Sequence, residues 1–304
     1  MVLSKILQEI GDNQSKCIQE AEFTSLAMLI EGYGEKDCCV FIADEKYLGK
    51  LKEDVKMVIT TSKIFEKMMG FRQGVCITDN PRIKFYEIHN YLSHKECYKR
   101  KVVDTQIADN CTIARNCEIA SKNVIIEEGV TVHPFAVIRE NTHIKKNAVI
   151  RSGAVIGNPG FDYKSINGSL IMTEQVGGII IEENVEIGSN TCIECACFPY
   201  EDTVIGRCSK IGALCYISHG TRIGERVLMP NCISISGYTI IDNDVLIGPG
   251  ATITNICHIK EGANITIGSV VCSNVRKHEH VTGNFAIQHE KFLNNYRNSL
   301  REQA

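Results

Sequence analysis

The chain has 304 residues, a net charge of −3 and 23% charged residues. This length accommodates two domains, and the slightly acidic balance excludes nucleic acid as a main partner. No apolar run is long enough to span a membrane and the first residues lack a signal-peptide stretch, so we expect a cytoplasmic protein without a transmembrane segment.

Residues 1–102 alternate short apolar runs with helical stretches, which predicts a small α/β domain with a mostly parallel sheet. The predicted strands are 38–43, 56–61 and 74–78. The residues expected to cap the helices that follow are Asp44, Ser62, and either Asp79 or Asn80. No glycine-rich phosphate loop follows these strands, so a Rossmann-type cofactor is not expected.

Residues 103–275 carry isoleucine, or another large apolar residue, at nearly every sixth position. A helix repeats near 3.6 residues and a strand near 2, so this period predicts short strands joined by turns, three per coil, in a parallel β-helix. The longest column runs from Ile181 to Ile265, and Pro199 is its one exception. Because the period continues beyond Pro199, we expect only a small bulge there.

A second column of small or β-branched residues lies two positions before each isoleucine and should share its inward face. Glycine recurs just after the isoleucine, where we expect corners that need unusual backbone angles. The period fails across residues 158–178, which predicts a long projecting loop, and loops of this length usually carry function. Residues 276–304 form a polar tail with a short amphipathic helix.

The fifteen cysteines are interpreted as structural rather than metal-binding. Several of them, Cys197 included, occupy the predicted inward small-residue slot, where cysteine acts as a small hydrophobe. Cys192, Cys195 and Cys197 resemble a metal cluster in spacing, but the repeat should point them in different directions, so no metal site is expected. Free thiols in this number fit a reducing compartment.

Three segments resemble the UDP-3-O-acylglucosamine N-acyltransferase family of the lipid A pathway: VFIADEKYLGKL (40–51), GGIIIEENVEIGSNT (177–191) with EDTVIG (201–206), and CYISHGTRIG (215–224). TGNFAI (282–287) extends the resemblance to the tail. It implies a mixed fold, namely a left-handed parallel β-helix of hexapeptide repeats with a small N-terminal α/β domain and a short C-terminal helix. It also implies a homotrimer whose grooves hold the substrates.

The resemblance assigns candidate site residues. Phe41, Asp44 and Tyr47 fall on the family's uridine-binding positions, and His219 on its catalytic histidine. An imidazole can take a proton from an amine that attacks a thioester. Since three repeats make one coil, Glu201 should stack beneath His219 and could orient its ring. The Gly237 amide, one coil above, is implied as the donor to the developing oxyanion.

Departures from the family pattern lie on substrate-facing positions. Its Gly-Phe-Gly-Phe loop is here Gly160, Phe161, Asp162 and Tyr163, so Phe161 and Tyr163 are the substrate-binding candidates. The family's orienting aspartate is here Gly212, and its Asp-Arg-Gly passage is Glu194, Cys195 and Ala196. A second family histidine lies nearest His258, two residues out of register.

We therefore predict transfer of an acyl group from a thioester to the amine of a nucleotide-linked amino sugar. No permanently bound cofactor is expected; acyl-CoA or an acyl carrier protein would be the co-substrate, and Lys291, Arg297 and Arg301 could contribute to a docking surface for the carrier. The lipid A enzyme itself and an inactive nucleotide-sugar-binding scaffold, favoured by Gly212, remain as alternatives. A zinc carbonic anhydrase of this fold would need three coil-matched histidines, and the coil's four histidines are not so spaced.

Overall fold

The computed structural model describes residues 1–30, 37–68, 70–166, 168–283, 286 and 288–302. Three tail positions of the family resemblance, Asn284, Phe285 and Ile287, lie outside these residues. Among the described residues, no helix is both long and apolar enough to cross a membrane.

The N-terminal part of the chain is a five-stranded sheet with helices. Its helices are α1 (Leu3–Glu9), α2 (Ser62–Phe65) and α3 (Pro81–Ser93), with 3₁₀ helices at Glu45–Lys50 and Glu96–Tyr98. Its strands are β1 (Lys16–Gln19), β2 (Ser25–Leu26), β3 (Cys38–Ile42), β4 (Val55–Thr60) and β5 (Gly74–Ile77). They lie in the order β1-β5-β4-β3-β2, with only β1 antiparallel to its neighbour. We call this part the head.

The three predicted head strands are present, and the polar residues after them cap the helices as expected, with one shift. Asp44 accepts from the backbone N–H of Lys46, and Asn80 from that of Ile83. The cap of α2 is Thr61, one residue before the predicted Ser62. Two strands, β1 and β2, were not predicted, because one is short and mostly exposed and the other has only two residues.

The second part is a prism of three parallel sheets, with one strand per sheet in each coil. Sheet 1 consists of β6 (Gln106–Ile107), β9 (Val124–Ile126), β12 (Thr142–Ile144), β17 (Gly178–Ile181), β20 (Asp202–Ile205), β23 (Arg222–Ile223), β26 (Ile240–Ile241) and β29 (His258–Ile259). Sheet 2 consists of β7 (Thr112–Ile113), β10 (Thr131–Val132), β13 (Val149–Ile150), β18 (Glu186–Ile187), β21 (Lys210–Ile211), β24 (Leu228–Met229), β27 (Leu246–Ile247), β30 (Asn264–Ile265) and β32 (His280–Val281). Sheet 3 consists of β8 (Glu118–Ile119), β11 (Val137–Ile138), β14 (Val155–Asn158), β19 (Cys192–Glu194), β22 (Tyr216–Ile217), β25 (Ser234–Ile235), β28 (Thr252–Ile253) and β31 (Val270–Val271).

Outside the prism, β15 (Tyr163–Ile166) and β16 (Ser169–Met172) form an antiparallel hairpin, and α4 (His289–Glu302) is the C-terminal helix. The predicted fold class, a left-handed parallel β-helix with an α/β head and a C-terminal helix, is confirmed. The isoleucine column fills the prism, since Ile187, Ile217 and Ile247 are all fully buried.

Glycine is required after the isoleucines for a different reason from the predicted one, which was unusual backbone angles at the corners. The positive φ angles of the corners fall two residues later, for example at Leu214 and Gly220. Gly188 and Gly212 instead stack backbone to backbone: a Cβ on Gly188 would lie 2.2 Å from the carbonyl carbon of Gly212. Close packing of successive coils, rather than backbone freedom, therefore requires glycine at these positions.

Two insertions leave the prism at the same corner, between sheet 3 and sheet 1, which we call the 3–1 corner. The first lies between β14 and β17 and contains the hairpin of the predicted loop, and the second lies between β19 and β20. The second corrects the bulge predicted at Pro199. Ile193 pairs with Ile217, four repeats further along the chain, whereas Ile205 pairs with Ile223, three repeats further along. The insertion thus equals one repeat, which is why the period continues past it.

The head packs on the 3–1 corner through the second insertion. The Phe198 ring is buried, with its centroid 5.6 Å from that of Phe85 and 4.8 Å from that of His89 on α3. Cys197 belongs to this apolar cluster and not to the prism core, which corrects its predicted inward slot. Arg100 donates to the Pro199 carbonyl and pairs with Asp202 at 2.7 Å.

Candidate active site at the 3–1 corner

His219 lies in the 3–1 corner between β22 and β23, where a carboxylate holds its ring. The Oε2 atom of Glu194 is 2.8 Å from His219 Nδ1 and accepts from the His219 backbone N–H at 2.9 Å. The Ser218 hydroxyl donates to the same oxygen at 2.6 Å. Glu194 is 1% exposed, so these contacts form away from water. A buried carboxylate that receives three hydrogen bonds fixes the ring's orientation.

The Glu194 contact determines which nitrogen of His219 can act as a base. Burial alone would raise the pKa of Glu194, but the hydrogen bonds from His219 and Ser218 outweigh it and hold that pKa below its usual value. The ionised carboxylate accepts the Nδ1–H of the neutral imidazole, which leaves the lone pair on Nε2. This is the protonation pattern that a histidine base needs.

The first insertion closes over the carboxylate. The other Glu194 oxygen, Oε1, accepts from the Phe161 backbone N–H at 3.3 Å. Gly160 lies so near that a Cβ there would sit 1.9 Å from the Glu194 carboxyl carbon. The Gln175 side chain, later in the same insertion, accepts from the Gly160 N–H at 2.8 Å and reaches His219 Nδ1 at 3.5 Å. Glu194 therefore joins the projecting loop to the histidine corner.

Gly237 occupies the corner one coil above, as predicted. A Cβ on Gly237 would lie 2.7 Å from His219 Nε2, so a side chain here would press on the basic nitrogen. The Tyr238 ring meets the imidazole edge to face with a centroid distance of 5.5 Å, and its backbone N–H donates to the His219 carbonyl. Gly237, in the corner one coil above, thus lies against the Nε2 side of the His219 imidazole.

Glu194 takes the orienting place predicted for Glu201. Glu201 is buried one coil below, as expected, but its carboxylate accepts from the Tyr238 hydroxyl at 3.4 Å. The second insertion separates it from the end of β19, where Glu194 faces the ring. Gly212 lies on a different corner, and a Cβ there would meet the Pro230 backbone at 2.6 Å. The carboxylate that contacts His219 therefore comes from another coil and not from position 212.

The remaining coil candidates are more dispersed. The Phe161 and Tyr163 rings contact each other on the first insertion, tilted at 54° with centroids 5.0 Å apart, and Phe161 is 84% exposed. His258 lies on β29, two strands beyond β23 in sheet 1, with its Nε2 2.9 Å from Asp242. The structure brings Phe161 to the Glu194–His219 pair through its backbone and places His258 on a later coil of sheet 1.

The head candidates lie at the carboxyl end of β3, where ligands of parallel sheets bind. The Phe41 ring contacts that of Phe85 with a centroid distance of 5.0 Å. The Asp44 carboxylate caps the following 3₁₀ helix and pairs with Lys46 at 3.0 Å, while the Tyr47 ring is 36% exposed. This arrangement leaves an aromatic ring and a carboxylate near solvent at one strand end.

Sequence reasoning missed Glu194, Ser218, Gln175 and the role of Gly160. The signal for Glu194 was a charged residue directly after a core isoleucine, where the other repeats often have glycine. Glu194 also lies close in the sequence to Pro199, the one break in the isoleucine column. Together these two irregularities mark the insertion that brings the carboxylate to the histidine.

Comparisons with known proteins find matches to parts of this chain. Residues 123–158 match the family described as bacterial transferase hexapeptide (six repeats). UDP-3-O-acylglucosamine N-acyltransferase of Albidiferax ferrireducens is 34% identical over 132 residues, which is 43% of this chain and 40% of that protein. The enzyme of the same name from Delftia acidovorans is 30% identical over 43% of this chain and 39% of that protein.

Among solved structures, LpxA from Acinetobacter baumannii is 21% identical, with 63% of this chain and 75% of that chain covered and a TM-score of 0.46. The chain spans about two fifths of the length of the curated relatives it matches. It thus carries a bacterial transferase hexapeptide segment and is similar, over about two fifths of its length, to the UDP-3-O-acylglucosamine N-acyltransferases.

Proposed function

We propose that this protein transfers an acyl group from a thioester to the amine of a nucleotide-linked amino sugar. The observation that carries the proposal is the buried Glu194 carboxylate on His219 Nδ1, with Nε2 directed towards Gly237. The curated relatives, named as N-acyltransferases of an acylated UDP-glucosamine, support the same class. The inactive-scaffold alternative gained weight only from Gly212 lacking a carboxylate, and the contact of Glu194 with His219 supports the hypothesis of an active enzyme instead.

In the proposed reaction, the amine nitrogen attacks the thioester carbonyl while His219 Nε2 takes the amine proton. The carbonyl oxygen becomes negatively charged, and the Gly237 backbone N–H is the proposed donor to it. The carbon–sulfur bond then breaks, and the imidazolium returns its proton to the leaving sulfur. Glu194 stabilises the imidazolium formed between these steps, because its carboxylate stays ionised and in contact with Nδ1.

The nucleotide is proposed to bind on the head at Phe41, Asp44 and Tyr47. An aromatic ring can stack on a pyrimidine base, and a carboxylate can accept from the N3–H of uracil or thymine. Phe161 and Tyr163 on the first insertion would contact the rest of the acceptor. His258, two strands away on sheet 1, is retained only as a contact for the distal part of a substrate.

The donor is proposed to be acyl-CoA or an acyl carrier protein. The helix α4 carries Lys291, Arg297 and Arg301, and exposed cations of this kind suit an acidic carrier protein. A carrier-protein donor should therefore give rates that fall as salt rises, whereas an acyl-CoA donor should be less sensitive.

A homotrimer in the cytoplasm completes the proposal. Leu228 and Leu246 pair on neighbouring coils of sheet 2, point outward and are 48% and 40% exposed, so a second prism could cover them. The cytoplasmic location rests on the number of cysteines that the sequence carries without a disulfide pattern. Sedimentation analysis would test the trimer.

The deciding experiment is mass spectrometry of mixed reactions. The full chain would meet UDP- and dTDP-linked amino sugars with acyl-CoAs and acyl carrier proteins of several chain lengths. We expect an acylated nucleotide sugar from the wild type and from a His133→Ala control, in which the replaced histidine lies on an earlier coil of the prism, but not from His219→Ala. A hydroxyacyl product on UDP-glucosamine from the carrier protein would identify the lipid A reaction. Bound nucleotide sugar without any acylated product would overturn the proposed transfer.

A further inference from the structure

We propose that Asp162, Cys197 and His219 form a binding site for a divalent transition-metal cation of the zinc class, and that the bound cation inhibits the protein. Each residue offers one ligand atom, and the three atoms lie within 4.8 Å of one another. The residues come from three different segments: the first insertion, the second insertion and the histidine corner. Only the folded arrangement of the 3–1 corner brings them together.

The donor set selects the cation. A thiolate, an imidazole and a carboxylate are ligands that zinc accepts in tetrahedral sites, with the fourth position open to water or another ligand. Calcium and magnesium prefer sites made of oxygen atoms alone. Binding would convert the Cys197 thiol to a thiolate and release its proton to solvent. The charges of the thiolate and of the Asp162 carboxylate then balance those of the cation, in a site where Cys197 is 1% exposed.

The contacts around the three residues fit ligation. A metal-binding histidine typically gives its other ring nitrogen to a carboxylate, and His219 Nδ1 does so to Glu194 at 2.8 Å. The Nε2 atom is therefore the nitrogen left for the cation. Lys164 donates to Oδ1 of Asp162, so Oδ2 is the oxygen assigned to the cation.

The bound cation should inhibit the protein because of the nitrogen atom that it would occupy, His219 Nε2. The cation would occupy the same Nε2 lone pair that the proposed acyl transfer uses to take the amine proton. It would also tie the projecting loop, through Asp162, to the histidine corner. This second part of the inference rests on the proposed function, whereas metal binding itself does not.

The test uses the full chain with cobalt(II) as a spectroscopic probe and zinc(II) as competitor. We expect one tight cobalt equivalent with a thiolate-to-cobalt charge-transfer absorption that zinc abolishes. Cys197→Ser should lose that absorption and weaken binding by more than the about 10- to 100-fold that loss of an outer partner costs. Cys195→Ser, two residues away and also buried, should retain both the absorption and the affinity. Asp162→Asn should also weaken binding, and it tests the site if Cys197→Ser does not fold.

Five outcomes are decisive. Loss of the absorption in Cys197→Ser alone supports the site, and equal absorption in Cys197→Ser and Cys195→Ser overturns it. If zinc also stops acyl transfer and a chelator restores it, the inhibitory role is supported. Binding through Cys197 without any acyl transfer would keep the metal site and reject the proposed function, whereas acyl transfer without a Cys197-dependent cobalt signal would reject this inference alone.

Discussion

The Glu194 carboxylate lies 2.8 Å from His219 Nδ1 although the two residues are 25 positions apart in the chain. In a regular coil the neighbour of His219 would be Glu201, which precedes it by one coil. The inserted repeat adds room at the 3–1 corner, so that the end of β19 and not the start of β20 faces the imidazole. The pairing of acid and base is thus a product of the insertion.

Replacement of Glu194 by glutamine should lower kcat by about 10²- to 10⁴-fold with little change in KM, the range for loss of an effective general base. The amide would present an N–H to Nδ1 and favour the tautomer whose Nε2 already carries a proton. Steady-state kinetics with the identified substrates measure both constants. Glu186→Gln, which affects an exposed pair with Arg151 on sheet 2, is the matched control. A glutamine variant with full kcat would show that Glu194 does not position the base.

Gly160→Ala should reduce activity and destabilise the protein by about 1–3 kcal/mol, as overpacking usually does. The new methyl would meet the Glu194 carboxyl carbon at 1.9 Å and push the loop away from the corner. Chemical denaturation and steady-state kinetics together measure this. Gly49→Ala is the control, because a Cβ there meets nothing within 4 Å. Equal stability and activity of the two variants would contradict the predicted contact between loop and carboxylate.

Phe198→Ala should cost about 3–5 kcal/mol of unfolding free energy, since it removes a buried ring between Phe85 and His89. The loss falls on the contact between head and prism, so proteolysis should release the head more readily. Phe292→Ala on α4, where the ring is 54% exposed, should change stability by less than about 0.5 kcal/mol. Similar losses in both variants would show that Phe198 does not anchor the head.

His89 should make stability depend on pH. Burial lowers its pKa from 6.5 to about 4, while its Nε2 lies 2.8 Å from the Glu174 carbonyl and its Nδ1 3.1 Å from the Tyr98 hydroxyl. The unfolded chain takes up the proton first as pH falls, so the neutral ring's contribution is complete above pH 6.5 and is lost as pH falls towards 4. The loss should amount to about 3 kcal/mol.

Urea denaturation of wild type and His89→Gln at several pH values between 7 and 4 checks this prediction. The variant should show a flatter dependence above pH 4.5. Below that pH, protonation of Glu194 also lowers the free energy of unfolding, because the pKa of Glu194 in the folded protein lies below the ordinary 4.5. Parallel curves for the two proteins would mean that His89 does not carry the effect.

The regular parts of this protein could be predicted because one physical constraint repeats. Each isoleucine from Ile205 to Ile265 must fill the same narrow prism, so a sixfold period follows directly from the fold. The place of His219 two residues after a core isoleucine, just past a corner, followed from the same count. The carboxylate partner of His219, Glu194, could not be predicted in this way, because an insertion as long as one repeat leaves the period unchanged. The small strands β1 and β2 were missed because their stability comes from pairing with β5 and β3 and not from local sequence.

Both insertions leave the prism where one coil ends and the next begins. The strands around them stay paired in parallel, with one register shift between Ile156 and Asn158 where the first insertion starts. The segments that contact the proposed acceptor can therefore lengthen, shorten or be exchanged while the isoleucine strands of the prism stay paired. Acceptor choice and scaffold stability are consequently separable properties here. Exchange of residues 159–177 between homologues that keep glycine at position 160 would alter which sugar is bound and leave the melting behaviour of the coil as it is.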